Sequence, residues 1–344
     1  MDGGEPIMNI VLHSPQFLPL VGGVENVVFD WGNALCQLGN KVSIITYTNG
    51  QNDTSWPFMI YRKPGLWKEL QILRKADVVM QFNVSLKGFI PIFLSGSALV
   101  VSHQSSVFFA DGSSSSSTAK IKMWIAKNYA KLNIACSAYL AEVMGLKAAI
   151  IPNPYNESLF KNKHHLVKKY DIVFLGRLVS DKGCAILLEA LSILKSKGFT
   201  PSVQIIGDGN EKTALKNWAT THGLQEQIEF QSALRGSALV EALNNSKLMV
   251  VPSVWEEPFG IVALEGLACG CTVIVSASGG LPEAIGQVGF TFPKGNALAL
   301  SVLLEKYLIV KKTFEKKPED IYQHLQAHTP IATAKKLLDL LRKV

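Results

Sequence analysis

The chain has 344 residues, 48% of them apolar and 18% charged, with a formal net charge of +7. That length exceeds one ordinary core and predicts two domains, and the composition excludes disordered and collagen-like classes. No run reaches the roughly 18 unbroken apolar residues that would span a bilayer. The opening MDGGEPIMNIV is acidic and then strand-like, without the basic start and apolar core of a secretory signal, so the expected location is cytoplasmic.

From there, short β-rich apolar runs alternate with helix-length amphipathic segments, the pattern of parallel sheets covered by helices. In the first half the predicted strands are 9–14, 41–47, 77–82, 98–103, 133–137 and 148–152, with helices that include 24–38 and 119–131. Gly22 and Gly23, in LVGGVENVV, fall between the first strand and its helix. They do not make a GxGxxG fingerprint, but paired glycines there bring backbone N–H groups close to a phosphate. His103 ends the strand ALVVSH, where a structural role and a role in a site carry equal weight. The run DGSSSSS at 111–117 predicts a flexible loop, with the serines at 113–117 standing out by composition.

Apolar periodicity lapses at 153–170, NPYNESLFKNKHHLVKKY, which reads as a linker. The pattern then restarts, with strands predicted at 171–177, 202–207, 228–232, 248–253 and 272–276, and the terminal PIATAKKLLDLLRK reads as an amphipathic helix. The fold class is α/β with two similar sheets.

Five cysteines without a CxxC pair read as buried thiols. Two lysine clusters, at 161, 163, 168 and 169 and at 311, 312, 316 and 317, read as a linker and solvated helix faces. The alternative for them is peripheral contact with an anionic membrane, on its inner face, or with phosphate-bearing molecules. No basic stripe with interleaved aromatics accompanies the charge, so no nucleic-acid partner is expected.

The informative stretch is VPSVWEEPFGIVALEGLACGCTVIVS, residues 251–276, which keeps Glu257 and Glu265 in apolar surroundings. Pro258 suits a first helical position, so the spacing predicts a helix with Glu257 at its entrance and Glu265 roughly 12 Å further along the axis. The first N–H groups, of Phe259, Gly260, Ile261 and Val262, then form an anion site. An acid at each end of a bound diphosphate is suited to accept hydrogen bonds from sugar hydroxyls. Alone, either acid reads as an ordinary helix charge. Arg177 and Lys182 in GRLVSDKG follow the first strand of the second half and could neutralise such a diphosphate. The bland reading makes them surface charges around an N-cap at Asp181. Gly207, in IIGDGNE, offers a second turn at the same edge, suited to a nucleoside.

Taken in order, GGVE, the SH of 102–103, IIPNP at 150–154, GRLVSDKG, IIGDG and WEEPFGIVALEGLACGCTVIVSASGGLPE resemble the retaining glycosyltransferases of family 4, glycosyl transferases group 1, with the GT-B fold. The resemblance implies two Rossmann-like domains with parallel sheets facing across a cleft. The acceptor-binding domain would cover 1–160 and the nucleotide-sugar domain 161–325, with a helix at 326–344 crossing back to the first.

It also implies that Glu257 meets the donor hexose hydroxyls, Glu265 the ribose, and Arg177 and Lys182 the diphosphate. Phe259, Gly260, Ile261 and Val262 would supply main-chain contacts, Gly23 would lie near the β-phosphate, and His103 near the sugar 6-hydroxyl. Leu234 matches a contact to the base, although Ser232 stands where the family usually has glycine. Family members need no metal, and the chain has no DxD sequence, so no cofactor is expected. The implied reaction moves a hexosyl group, from a UDP-sugar before GDP-mannose, to a hydroxyl of a glycan or lipid-linked saccharide, in the biosynthesis of a polysaccharide or similar glycan. An inactive sugar-nucleotide-binding protein is the alternative. An oxidoreductase is disfavoured by the absent GxGxxG.

Overall fold

A computed structural model describes residues 6–20, 22–51, 55–106, 117–163, 167–309 and 316–344. Lys311, Lys312 and the serine run up to residue 116 lie outside them, and Ser117 opens a helix. The chain divides into two units, Met1–Pro154 with His328–Val344, and Tyr155–Ala327. The division falls at 154/155 and 327/328, where the sequence reading placed it at 160/161 and 325/326.

Unit one alternates β1 (Asn9–His13), α1 (Gly23–Gln37), β2 (Lys41–Thr46), β3 (Met59–Arg62), α2 (Leu66–Leu73), β4 (Val78–Phe82), α3 (Leu86–Ser95), β5 (Leu99–His103), α4 (Ser117–Asn128), β6 (Leu132–Ala135), α5 (Ala138–Met144) and β7 (Ala149–Ile150). Its seven strands run in the order β3-β2-β1-β4-β5-β6-β7, all parallel. Helices on both faces leave every residue of β4 and β5 buried, the apolar ones and also the polar Gln81, Ser102 and His103.

Unit two repeats the plan. Its elements are β8 (Tyr170–Leu175), α6 (Cys184–Ser196), β9 (Val203–Ile206), α7 (Lys212–Thr221), β10 (Ile228–Gln231), α8 (Gly236–Asn244), β11 (Ser246–Val251), α9 (Ile261–Ala268), β12 (Thr272–Ser276), α10 (Leu281–Ile285), β13 (Phe290–Phe292), α11 (Ala297–Ile309) and α12 (Pro318–Ala327). The parallel order is β10-β9-β8-β11-β12-β13. In both sheets the first strand of the unit is central and the order reverses beside it, which puts the ligand-binding edge at the carboxyl ends of the strands.

The last helix, α13 (Pro330–Leu341), packs on α1 in unit one. Thr329 caps it by accepting from the Ala332 N–H at 3.2 Å, and buried Trp31 donates its indole N–H to Thr333 Oγ1 at 2.9 Å. Edge strands β3 and β13 have no counterpart in the sequence reading. At four and three residues they are too short to show a period.

The segment expected as a linker does not hang free. Tyr155 and Phe160 are buried, the Lys161 carbonyl accepts from Asn244 Nδ2 at 3.0 Å, and Lys168 Nζ donates to the carbonyls of Ser246 and Gly270. Lys169 pairs with Glu229 at 3.8 Å. Much of the first lysine cluster thus fastens a strap onto unit two. Four of the five thiols are buried and all are free, and burial pushes Cys184 to about 12 and Cys271 to about 11.

Candidate active site

The carboxyl edge of the second sheet is made by the loops after β8, β9, β11 and β12, which brace one another through backbone contacts. Gly176 N–H donates to the Ile206 carbonyl at 3.1 Å and Leu178 N–H to the Asp208 carbonyl at 2.9 Å. The Asp181 carbonyl accepts from both Val254 and Trp255 N–H, at 3.0 and 3.1 Å. On the other side, Gly280 N–H donates to the Glu257 carbonyl at 2.7 Å, and Ser276 Oγ to the Ser253 carbonyl at 2.6 Å.

Two glycines make this closeness possible. Gly183 has φ +67° and Gly279 φ +58°, and a Cβ on either would run into backbone, that of Pro252 and of Glu256–Glu257 respectively. Only glycine satisfies both the left-handed conformation and the approach.

Held in this brace, Glu257 Oε1 receives a short hydrogen bond from Lys182 Nζ and a second from Ser253 Oγ at 2.8 Å. Both partners of the pair keep a solvent-facing fraction, 24% for the Lys182 side chain and 16% for Glu257. The neighbouring acid differs: Glu256 pairs with Lys294 at 3.0 Å. Arg177 is exposed, and no hydrogen bond or ion pair to the described residues engages its guanidinium.

The helix behind this pair begins later than the sequence predicts. Pro258 and Phe259 lie in a bend, Gly260 is the N-cap with φ 110°, and α9 starts at Ile261. The correction moves the anion site on by two positions. The N–H groups of Ile261 and Val262 are the ones at the head of the helix and lack intrahelical acceptors, whereas buried Phe259 packs beneath them. Glu265 lies in the second turn of α9, half-buried. Likewise α6 starts at Cys184 with Gly183 at its N-cap, and Asp181 sits inside a single 3₁₀ turn, Ser180–Lys182, without capping.

Gly207 lies against the Gly176 carbonyl, so the β9 loop joins the same surface. Leu234 is half-buried in the loop after β10. That loop is held by Asp208, whose carboxylate accepts from the Ala233 N–H at 2.8 Å and from Lys212 Nζ at 2.6 Å. Those bonds, the backbone one foremost, hold the Asp208 carboxyl below the usual range. Asp208 and Ser253 were missed as site residues; their sequence signal was modest, a short polar residue inside a motif or just after a strand.

Three candidates lie in unit one. Gly22 is the extended N-cap of α1, and Gly23 opens that helix and is exposed; the Glu25 carboxylate folds back over Gly22. His103 is 1% exposed, its Nε2 2.9 Å from Asn133 Oδ1 on the adjacent strand, and its Nδ1 is buried without a hydrogen-bond partner among the described residues. Burial lowers its pKa, partly offset by that hydrogen bond.

Two Rossmann-like units, each with a parallel sheet reversing its order beside the unit's first strand, define the GT-B fold class. The model of the family "Glycosyl transferases group 1" matches residues 156–324, nearly all of the second unit. Over 355 aligned positions, covering 90% of this chain and 76% of its own length, the chain is 25% identical to the phosphatidylinositol N-acetylglucosaminyltransferase gpi3 subunit of Schizosaccharomyces pombe. It is 35% identical over 114 residues to an uncharacterized glycosyltransferase of Methanocaldococcus jannaschii, where the match spans 33% of this chain and 29% of that protein. Among solved structures, Anabaena Alr3699/HepE in complex with UDP superposes with a TM-score of 0.79 at 18% identity, covering 98% of this chain and all of that one. The same protein in complex with UDP-glucose gives 0.78. No described helix is long and apolar enough to cross a membrane.

Proposed function

We propose that the protein transfers a hexosyl group from a nucleotide-diphosphate sugar, a UDP-sugar before GDP-mannose, to a hydroxyl of a glycan or lipid-linked saccharide. The observation that carries this reading is the Lys182–Glu257 pair, held by Ser253 in front of the α9 N-terminus with Arg177 exposed nearby in sequence. Glu257 is paired with Lys182. An incoming diphosphate competes for that ammonium, which leaves the carboxylate to accept hydrogen bonds from the hexose hydroxyls.

As the bond from the anomeric carbon to the diphosphate breaks, charge builds on the leaving oxygen, where Arg177, Lys182 and the Ile261 and Val262 N–H groups oppose it. The acceptor hydroxyl attacks from the same face and passes its proton to the departing phosphate oxygen, so configuration is retained. Four cationic or N–H donors, Arg177, Lys182 and the Ile261 and Val262 N–H groups, already stand on the protein for this charge, which supports a reaction without a metal. Glu265 serves the ribose, Leu234 the base, and Gly207 the turn beside the nucleoside. The UDP and UDP-glucose complexes of the Anabaena neighbour favour uridine.

A panel of UDP- and GDP-sugars tested by thermal shift, then by donor hydrolysis with and without EDTA, checks the reading. A UDP-sugar should raise the melting temperature and be hydrolysed equally in EDTA. Absence of any stabilisation or hydrolysis across the panel would overturn it, and proton NMR of a transfer product reads the anomeric outcome.

A further inference from the structure

The surface of unit one carries a face that the proposed reaction does not use. Along α3, Lys87, Ile90, Phe93 and Leu94 point outward at helical spacing, with Ile90 57%, Phe93 54% and Leu94 51% exposed. Along α4, Lys120, Ile121, Trp124 and Lys127 do the same, and Trp124 is 53% exposed. Aromatic packing joins the two helices: Tyr129 meets Phe89, Phe93 and Trp124 edge-on at centroid distances of 5.2, 5.4 and 5.1 Å. The result is one contiguous apolar face, not scattered side chains.

Its charge is as lopsided as its polarity. Between Asp77 and Glu142 the sequence holds five lysines, at 87, 120, 122, 127 and 131, and a single acid, Asp111. Exposed aromatic and aliphatic side chains interleaved with lysines and free of acids are complementary to the headgroup region of an anionic bilayer. Rings enter the interface, and the lysine stems lie along apolar surface while their ammonium groups reach phosphate.

We propose that the outer face of α3 and α4 docks the protein on an anionic membrane. This surface differs from the lysine clusters singled out in the sequence, where Lys168 and Lys169 are engaged in packing and pairing within unit two. It also has a directional consequence. α3 begins just past the carboxyl end of β4, and Lys87 Nζ sits 4.4 Å from the ring centroid of Tyr47, just past the end of β2. The docking face therefore borders the carboxyl edge of the first sheet, the edge at which open α/β sheets take ligands. The inference rests on the glycosyltransferase reading in one respect: within that reading it selects a lipid-linked acceptor, presented from the bilayer, over a soluble glycan.

The test sediments the full chain with vesicles of phosphatidylcholine alone and of phosphatidylcholine mixed with phosphatidylglycerol, and measures donor hydrolysis on the same preparations. The expected result is binding to the anionic vesicles only, weakened at least about tenfold by Lys120→Glu with Lys127→Glu, since each lysine near a charged surface contributes roughly 1 kcal/mol. Ile90→Ser with Leu94→Ser, exposed and outside the residues assigned to the proposed chemistry, should weaken it as well at unchanged melting temperature and unchanged donor hydrolysis. Equal binding by these variants, no binding to either vesicle, or a dimer in solution that both serine substitutions convert to monomer would overturn the docking surface. Loss of hydrolysis in the wild-type protein would instead strike the glycosyltransferase reading and leave the vesicle result standing.

Discussion

The two units share a strand order but treat their carboxyl edges in opposite ways. In unit two the edge is built from backbone: the brace of loops around Asp181, Ser253 and Gly280 leaves a few side chains, chiefly Arg177, Lys182 and Glu257, to face outward. In unit one the edge is filled by polar side chains that bond one another. His13 Nε2 lies 3.3 Å from Tyr47 Oη and 3.4 Å from Glu69, Tyr47 donates to Glu69 at 3.2 Å, and Gln81 bonds both the N–H and the carbonyl of Ser85. Burial and the adjacent Glu69 carboxylate raise the Tyr47 pKa. A backbone cradle is indifferent to most side-chain changes and suits a ligand part common to many donors, such as a diphosphate. A side-chain network changes with each substitution and suits recognition particular to one protein.

The largest expected effect breaks the outward side chains of unit two and leaves its backbone alone. Glu257→Gln and Arg177→Ala should each lower donor turnover by about 10²- to 10³-fold, the scale of losing one preorganised charge contact, at near wild-type melting temperature. Wild-type rates in both variants would remove the site from this edge. Next comes the backbone itself. Gly183→Ala forces a Cβ onto the Pro252 carbonyl in a left-handed conformation and should cost about 2–4 kcal/mol in urea unfolding. Gly65→Ala, at the head of α2 in unit one with open space around it, should change stability by no more than about 0.5 kcal/mol. Equal costs would mean that the brace is not what the glycines serve.

A smaller effect concerns how the chain's end is kept in unit one. Thr333→Val removes the acceptor of the buried Trp31 N–H, and the orphaned indole should cost about 1–3 kcal/mol by urea unfolding. Activity of the surviving folded protein at low temperature should be little changed, which separates this tether from the chemistry.

Much of this was legible in the sequence because parallel strands buried on both faces leave continuous apolar runs, and because glycine and proline mark the turns between them. The Lys182–Glu257 pair brings together residues 75 positions apart in sequence, and each was visible only as an unexpected charge in small or apolar company. What escaped the sequence had a weak local signal. The start of α9 was placed too early because Pro258 is compatible with a first turn, whereas the contact of Gly279 and Gly280 with residues 256–259 pulls that segment into a bend, and nothing local encodes that contact. The strap residues 155–163 and 167–168 read as a linker because their anchors, Tyr155, Phe160 and Lys168, are spaced irregularly and bind to surfaces formed far along the chain. The α3–α4 face was invisible for a different reason: an apolar helix reads as buried until the structure shows which of its sides is left uncovered.

The smallest expected effect distinguishes the two units by their histidines. Asn133 Nδ2 donates to the Ala126 carbonyl at 2.8 Å, which leaves Asn133 Oδ1 to accept from His103 Nε2–H. The neutral ring is thereby fixed with its proton on Nε2, and a second proton would have to enter on buried Nδ1, which has no partner among the described residues. The folded pKa therefore lies below the unfolded value, burial being the cause. In unit two, burial also lowers His324, which is only half-buried, and its Nε2–H donation to the Ala284 carbonyl at 2.8 Å offsets part of the shift, as the bond to Asn133 does for His103. With both folded values depressed, the unfolded chain binds more protons as pH falls. The stability each histidine contributes is complete above the unfolded pKa, near 6.5, and is lost as pH drops through the folded value, at no more than about 1.4 kcal/mol per pH unit for each. Urea unfolding between about pH 7.5 and 5 should show a shallower decline in His103→Gln than in the wild type, with a smaller change in His324→Gln. An unchanged slope in His103→Gln would mean that protonation of this ring is not what the edge of the first sheet resists.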